Sequence, residues 1–311
     1  MPSEPFKRGL FEELPDKPSV PHNYYEAEEL TVRLDSSGFG SMDVHVRKFG
    51  SGPPLLLVHG FMTTSYSWRY SLAPLGEHYT CYAPDLPGTG RSDKPLDVSY
   101  KPADIARWIG ELQRELGIHG CDTIGNSMGG YLCLHLAMQD PAAMSKLVVL
   151  HAPGIPELRL SAARVVFHMP GTHMLFRWLV RRKPLRWVHK NVHYYDESLK
   201  SMEEAREYGE PLRKYAGAQA FLKYLRETMG VGPMKLFIKQ LEEQRAREFP
   251  VPVLLLYAEQ DPMVSPSMGT EYARLIPSAK LEWLTEASHF AHVDSVEQFV
   301  DRSLAFLADA D

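Results

Sequence analysis

Two rhythms of hydrophobic and polar residues run along this chain. Residues 30–34 and 42–49 alternate apolar and polar positions with a period of two, as antiparallel strands with one solvated face do. Residues 55–59, 80–83, 121–125, 147–151, 253–258 and 281–284 are short runs, several of them continuously apolar, as suits strands buried on both faces of a parallel sheet. Residues 103–116 and 130–138 between these runs, and 296–307 after them, carry a helical period instead. Strand alternating with helix predicts an α/β fold: a mainly parallel, eight-stranded sheet covered by helices on both faces. From 155 to 249 the strand pattern nearly vanishes, while 199–208 and 218–229 read as helices. The expected organisation is therefore an N-terminal arm (1–28), a core (29–154 and 250–311) and a helical lid (155–249) inserted between two core strands.

One motif sits where this pattern turns from strand to helix. Gly125-Asn126-Ser127-Met128-Gly129 follows an apolar run and precedes a helical one. A serine on so sharp a turn is held in strained backbone geometry, and only small neighbours let the turn close. Its hydroxyl then projects above the positive end of the following helix. Such a serine is a weak nucleophile until a histidine takes its proton, and that histidine needs a carboxylate to fix its tautomer. The order expected along the chain is serine, acid, histidine. His289 lies between the last strand and the last helix and is the expected base, with His292 as its rival; Asp261, after the run 253–258, is the expected acid, ahead of Glu259. The residues after the first buried strand, His59-Gly60-Phe61-Met62, and the residue after the serine point to the backbone N–H groups of Phe61 and Met128 as an oxyanion hole. His59 reads as a brace for that loop.

Composition narrows the alternatives. Thirty-four Lys and Arg against 39 Asp and Glu leave a net charge of −5, so no basic field gathers nucleic acid. Three cysteines, Cys81, Cys121 and Cys133, are odd in number and lack C-x-x-C spacing, which argues against a disulfide framework and a zinc knuckle and fits a reduced, cytoplasmic setting. Residues 1–21 contain no apolar run long enough for a signal peptide or a membrane span. His168, His173, His189 and His193 lack partners at ligand spacing, so no metal is expected, and the chemistry needs no cofactor.

With these motifs in order, the sequence resembles the α/β-hydrolase superfamily. The likeness is carried by His59-Gly60-Phe61, Pro84-Asp85-Leu86-Pro87-Gly88 with Gly90-Arg91-Ser92, Gly125 through Gly130, Asp261, and Ser288-His289-Phe290. It implies a serine esterase acting on a small or medium carboxylic ester. Related haloalkane dehalogenases and epoxide hydrolases carry aspartate where this chain has Ser127, which disfavours both chemistries. The elbow is also similar to that of the hydrolases that cleave carbon–carbon bonds in meta-cleavage products. This chain departs from them in the loop Phe61-Met62-Thr63-Thr64 and in having no tryptophan after His289. A non-catalytic receptor on the same fold is a third reading, against which the complete serine, acid and histidine set speaks.

Between Arg159 and Lys190 the lid carries eight Lys or Arg and no Asp or Glu, interleaved with apolar and aromatic residues. The expectation is an apolar inner face, with Phe167, Phe176 and Trp178 lining a substrate pocket, and a hydrated basic outer face. A second reading of the stretch is weak contact with an anionic membrane surface.

Overall fold

The computed structural model describes residues 4–154 and 172–309, with no account of the side chains of Thr172 and His173. Eight strands, β1 (Glu28–Ser36), β2 (Gly40–Phe49), β3 (Pro54–Val58), β4 (Thr80–Pro84), β5 (Asp122–Asn126), β6 (Leu147–Leu150), β7 (Val253–Ala258) and β8 (Lys280–Leu284), form one sheet in the order β1-β2-β4-β3-β5-β6-β7-β8. β1 and β2 pair antiparallel, as does β2 with β4, and every later pairing is parallel. This is the mainly parallel, eight-stranded sheet expected from the pattern, in the arrangement that the resemblance to α/β-hydrolases implies.

The buried strands explain their own composition. Leu56 and Val58 of β3 enter the core on one face of the sheet with Trp108, Leu132 and Leu255; Leu55 and Leu57 enter the other with Trp68, Ile124, Leu254 and Phe299. A strand that fills two cores has no polar side, so it reads as a continuous apolar run. Helices α1 (Leu72–Gly76), α2 (Pro102–Glu115) and α3 (Met128–Gln139) precede the cap; α9 (Ser267–Leu275), α10 (Ala291–Asp294) and α11 (Val296–Ala308) follow it.

The cap lies between β6 and β7. Its described part comprises α4 (Thr172–Arg182), α5 (Pro184–Asn191), α6 (Met202–Arg213), α7 (Tyr215–Lys223), a π-helical turn (Tyr224–Thr228) and α8 (Val231–Gln244). The helix expected at 199–208 begins later because Ser201 caps it, its hydroxyl accepting from the Glu204 N–H at 3.1 Å. That expected at 218–229 changes to the wider π turn at Tyr224. A buried ion pair fastens the cap to the core: Arg69 donates to Glu204 Oε2 at 2.7 Å, and Tyr194 donates to the same oxygen at 2.6 Å. The N-terminal arm crosses the cap, its Pro15 and Asp16 carbonyls accepting from the Met202 and Glu203 N–H groups. Among the described residues no helix is long and apolar enough to cross a membrane.

Candidate active site

Ser127 stands between β5 and α3 with φ 53° and ψ −121°, a backbone conformation that L residues rarely adopt. Close packing around it demands glycine. A Cβ on Gly125 would meet the Gly130 nitrogen at 2.6 Å, and one on Gly129 would collide with the backbone carbonyls of Val58 and His59. The Ser127 N–H donates to the Leu150 carbonyl at 2.7 Å, tying the turn to β6.

Around this serine the fold gathers residues distant in sequence. Ser127 Oγ lies 2.8 Å from His289 Nε2, and His289 Nδ1 lies 2.7 Å from Asp261 Oδ2. The other Asp261 oxygen accepts from the Met263 and Val264 N–H groups at 2.7 and 2.9 Å. Burial alone would push the Asp261 carboxyl up, but the His289 charge and hydrogen bond, His151 and the Val264 N–H together hold it below its ordinary value. An ionised Asp261 can only accept, so His289 Nδ1 carries the proton and Nε2 offers its lone pair to the serine hydroxyl. Ser127, Asp261 and His289 are all buried.

The remaining candidates take the following positions. Phe61 and Met128 both line a cavity that reaches the residue after Ser127, although Ser127 and His289 are not among its described lining residues. Met128 is the first residue of α3 and has no preceding helical turn to accept its N–H. His59 braces the loop: Nδ1 donates to the Gly60 carbonyl at 2.8 Å, and Nε2 accepts from the Leu86 N–H at 3.0 Å. His292 is buried against Trp68, ring centroids 4.5 Å apart, rather than beside Ser127. Glu259 is exposed at the end of β7.

The cap residues are placed differently from the expectation. Trp178 is 52% exposed with the Arg182 guanidinium 5.0 Å over its ring, and it does not line the cavity. Phe176 stands one layer back, stacked on Phe221 at 6.2 Å. Phe221 itself lines the cavity and stacks on Phe61 at 4.7 Å. A 3.6-residue period reveals that a helix has two faces but not which one points inward; here Phe176 and Val180 turn in and Trp178 turns out. Phe167 lies outside the described residues.

Two residues that the sequence left unremarked hold the site from behind. Asp294 of α10 accepts from the Ser288 N–H at 3.2 Å and from the cap's Tyr195 N–H at 2.7 Å, fixing the loop that carries His289. Burial raises its carboxyl to about 6. His151, with φ 52°, accepts the Ala258 N–H on Nε2 at 2.8 Å and packs 5.5 Å from the His289 ring. An aspartate closing a short helix and a histidine just after a strand carry no spacing signal of their own.

The cavity is small, about 30 Å³, with room for roughly two water molecules. Phe61, Met62, Met128, Leu212, Phe221 and Tyr224 give it an apolar wall, and no Lys, Arg, His, Asp or Glu lies among its described lining residues. His151, Asp261 and His289 bring ligand-type atoms within 4.8 Å of one another. Asp261 is already committed to His289 and two backbone N–H groups, and His151 Nε2 to Ala258, so the cluster reads as a hydrogen-bonded relay.

Comparison with known proteins places the fold in a family. Residues 53–296 match a family model described as the alpha/beta hydrolase fold. The uncharacterized hydrolase YugF of Bacillus subtilis is 27% identical over 256 residues, covering 81% of this chain and 89% of that protein. A 2-hydroxy-6-oxo-2,4-heptadienoate hydrolase of Pseudomonas putida is 25% identical, covering 88% of this chain and 95% of that protein. Among solved structures, the epoxide hydrolase CorEH superposes with a TM-score of 0.76 at 19% identity, over 90% of this chain and 99% of that one.

Proposed function

Because this chain belongs to the α/β-hydrolase family, we propose that it is a serine hydrolase that cleaves neutral carboxylic esters of small to medium size through an acyl-enzyme on Ser127. The observation that carries the reading is the unbroken chain of contacts from Ser127 Oγ to His289 Nε2 and from His289 Nδ1 to Asp261. In the acylation step Ser127 Oγ bonds to the ester carbonyl carbon as its proton passes to His289 Nε2. The negative charge that develops on the carbonyl oxygen is met by the Phe61 and Met128 N–H groups. His289 then gives its proton to the departing alcohol, and water repeats the sequence in reverse to free the acid.

The lining of the cavity favours a neutral ester over a carbon–carbon hydrolase substrate. A dienoate carries a carboxylate that needs a cation or several donors; the described lining supplies no charged side chain, and its Thr63, Thr89 and Tyr224 hydroxyls already donate to backbone carbonyls. The Phe221–Phe61 stack closes a space too small for an ester, so the cap shifts outward to admit one. Fluorophosphonate labelling tests the assignment directly: the adduct is expected on Ser127, and Ser127→Ala should lower p-nitrophenyl ester turnover by about 10³-fold or more without loss of fold. A folded Ser127→Ala protein that retains most of its esterase activity would falsify it. An unlabelled Ser127 in an inactive wild-type protein would favour the receptor instead.

A further inference from the structure

Residues 172–191 carry six cations, Arg177, Arg181, Arg182, Lys183, Arg186 and Lys190, and no acid, in a chain whose net charge is −5. Three of them, Arg177, Arg181 and Arg182, lie on α4 and meet an unusual apolar surface there. Successive helical residues turn by about 100°, so Met174, Trp178, Leu175 and Leu179 share an arc about 140° wide, with Arg181 and Arg177 along one edge and Arg182 inside it. The four apolar residues are 58%, 52%, 58% and 50% exposed in that order. The opposite side is the one that packs: Val180 is buried and Phe176 stacks on Phe221. Tyr215, also half exposed, extends the patch beneath Arg177, whose guanidinium lies 4.6 Å over its ring. Five of the ten large hydrophobic residues exposed among the described residues thus lie on α4 or against it, a cluster rather than a scatter.

The occupant of this face has to supply an apolar medium and negative charge together. A small anion would satisfy the arginines and leave Met174, Leu175, Trp178 and Leu179 in water. A second copy would satisfy the apolar arc, but a two-fold contact would set this acid-free segment against itself, cation facing cation. An anionic bilayer offers both: phosphate headgroups for the arginines, and the headgroup–acyl boundary for tryptophan and leucine. We propose that the outer face of α4 docks the protein on anionic phospholipid surfaces. This inference stands apart from the reaction proposed for Ser127, since it uses the face of the cap turned away from the cavity.

Vesicle co-sedimentation of the full chain tests it. Binding is expected to vesicles of equal phosphatidylglycerol and phosphatidylcholine, and to fall about tenfold on pure phosphatidylcholine or in about 0.5 M salt. Leu175→Glu with Leu179→Glu, and separately Arg181→Glu with Arg182→Glu, should each weaken binding by about tenfold or more. Arg181→Lys with Arg182→Lys should retain it, and Lys239→Glu on α8 should leave it unchanged. Circular dichroism and hydrolysis of a soluble short ester report that each variant is folded. Equal binding to the zwitterionic vesicles, binding that survives both sets of glutamate substitutions, or no binding at all would overturn the proposal. So would a lipid-free dimer that dissociates on Leu175→Glu with Leu179→Glu.

Discussion

Replacing Asp261 by asparagine tests the proton relay, because the structure fixes how the new amide must lie. The Oδ1 position accepts N–H bonds from Met263 and Val264, so the amide oxygen belongs there; flipping the amide would point its NH₂ at two donors. The NH₂ then takes the Oδ2 position, 2.7 Å from His289 Nδ1, and forces that nitrogen to accept. The proton moves to Nε2, the atom that should receive the serine proton, and the base becomes a donor. Loss of the carboxylate also removes the charge that stabilises an imidazolium. Together these are worth about 10⁴-fold in kcat, ~5 kcal/mol of barrier, while the loop keeps both backbone bonds and the fold is spared. Steady-state hydrolysis of p-nitrophenyl acetate, with thermal melting of the same sample, checks both halves. An Asp261→Asn protein within tenfold of wild type would show that His289 does not depend on Asp261 for its tautomer, and the relay would have to be abandoned.

Asp294 carries a pH signature. Burial raises its carboxyl to about 6, so the folded state holds this proton more tightly than the unfolded chain, where the value is near 3.8. Its contribution to stability is full below about 4 and drains away as pH rises through 6, by up to ~3 kcal/mol. Melting temperature measured from pH 4 to 7 should reveal this loss, and Asp294→Asn should flatten it; identical pH profiles for the two proteins would remove Asp294 as its source. Gly129→Ala should cost more than ~2 kcal/mol or prevent folding, because the collisions are with the Val58 and His59 carbonyls, backbone that cannot swing aside; a denaturant midpoint equal to wild type would contradict the packing. Phe221→Ala removes the ring stacked on Phe61 and should raise kcat/KM for butanoate relative to acetate esters, whereas Trp178→Ala, on the outer face, should leave that ratio unchanged. The reverse pattern in a chain-length series would restore Trp178 to the pocket.

What the sequence could and could not reveal follows from the range of each interaction. The buried strands were legible because each fills a core on both sides, and Leu55, Leu56, Leu57 and Val58 have no water-facing position at which a polar residue would be tolerated. Ser127 was legible because its turn writes glycine at 125 and 129, the first for a contact within the turn and the second for the close approach of the Val58 and His59 carbonyls. The structure brings Asp261 and His289 to it, as their places after two neighbouring strands suggested. The cap was legible only as helix. Whether Phe176 or Trp178 faced inward depended on α7, some forty residues away, and the supporting role of Asp294 depended on Tyr195 across the cap.

The fastening of cap to core has a consequence for protein engineering. Because the cap enters after β6 and returns at β7, it looks like a cassette that could be exchanged with that of a relative to change substrate range. Arg69 makes the exchange less simple: it belongs to the core, is fully buried, and relies on Glu204, Tyr208 and Tyr194 of the cap for its charge and its hydrogen bonds. A graft lacking an acid at the Glu204 position would strand a guanidinium in the interior, at about 3–5 kcal/mol. A workable chimera has to carry this acid along with its helix, or trade Arg69 for an apolar side chain that fills the same space.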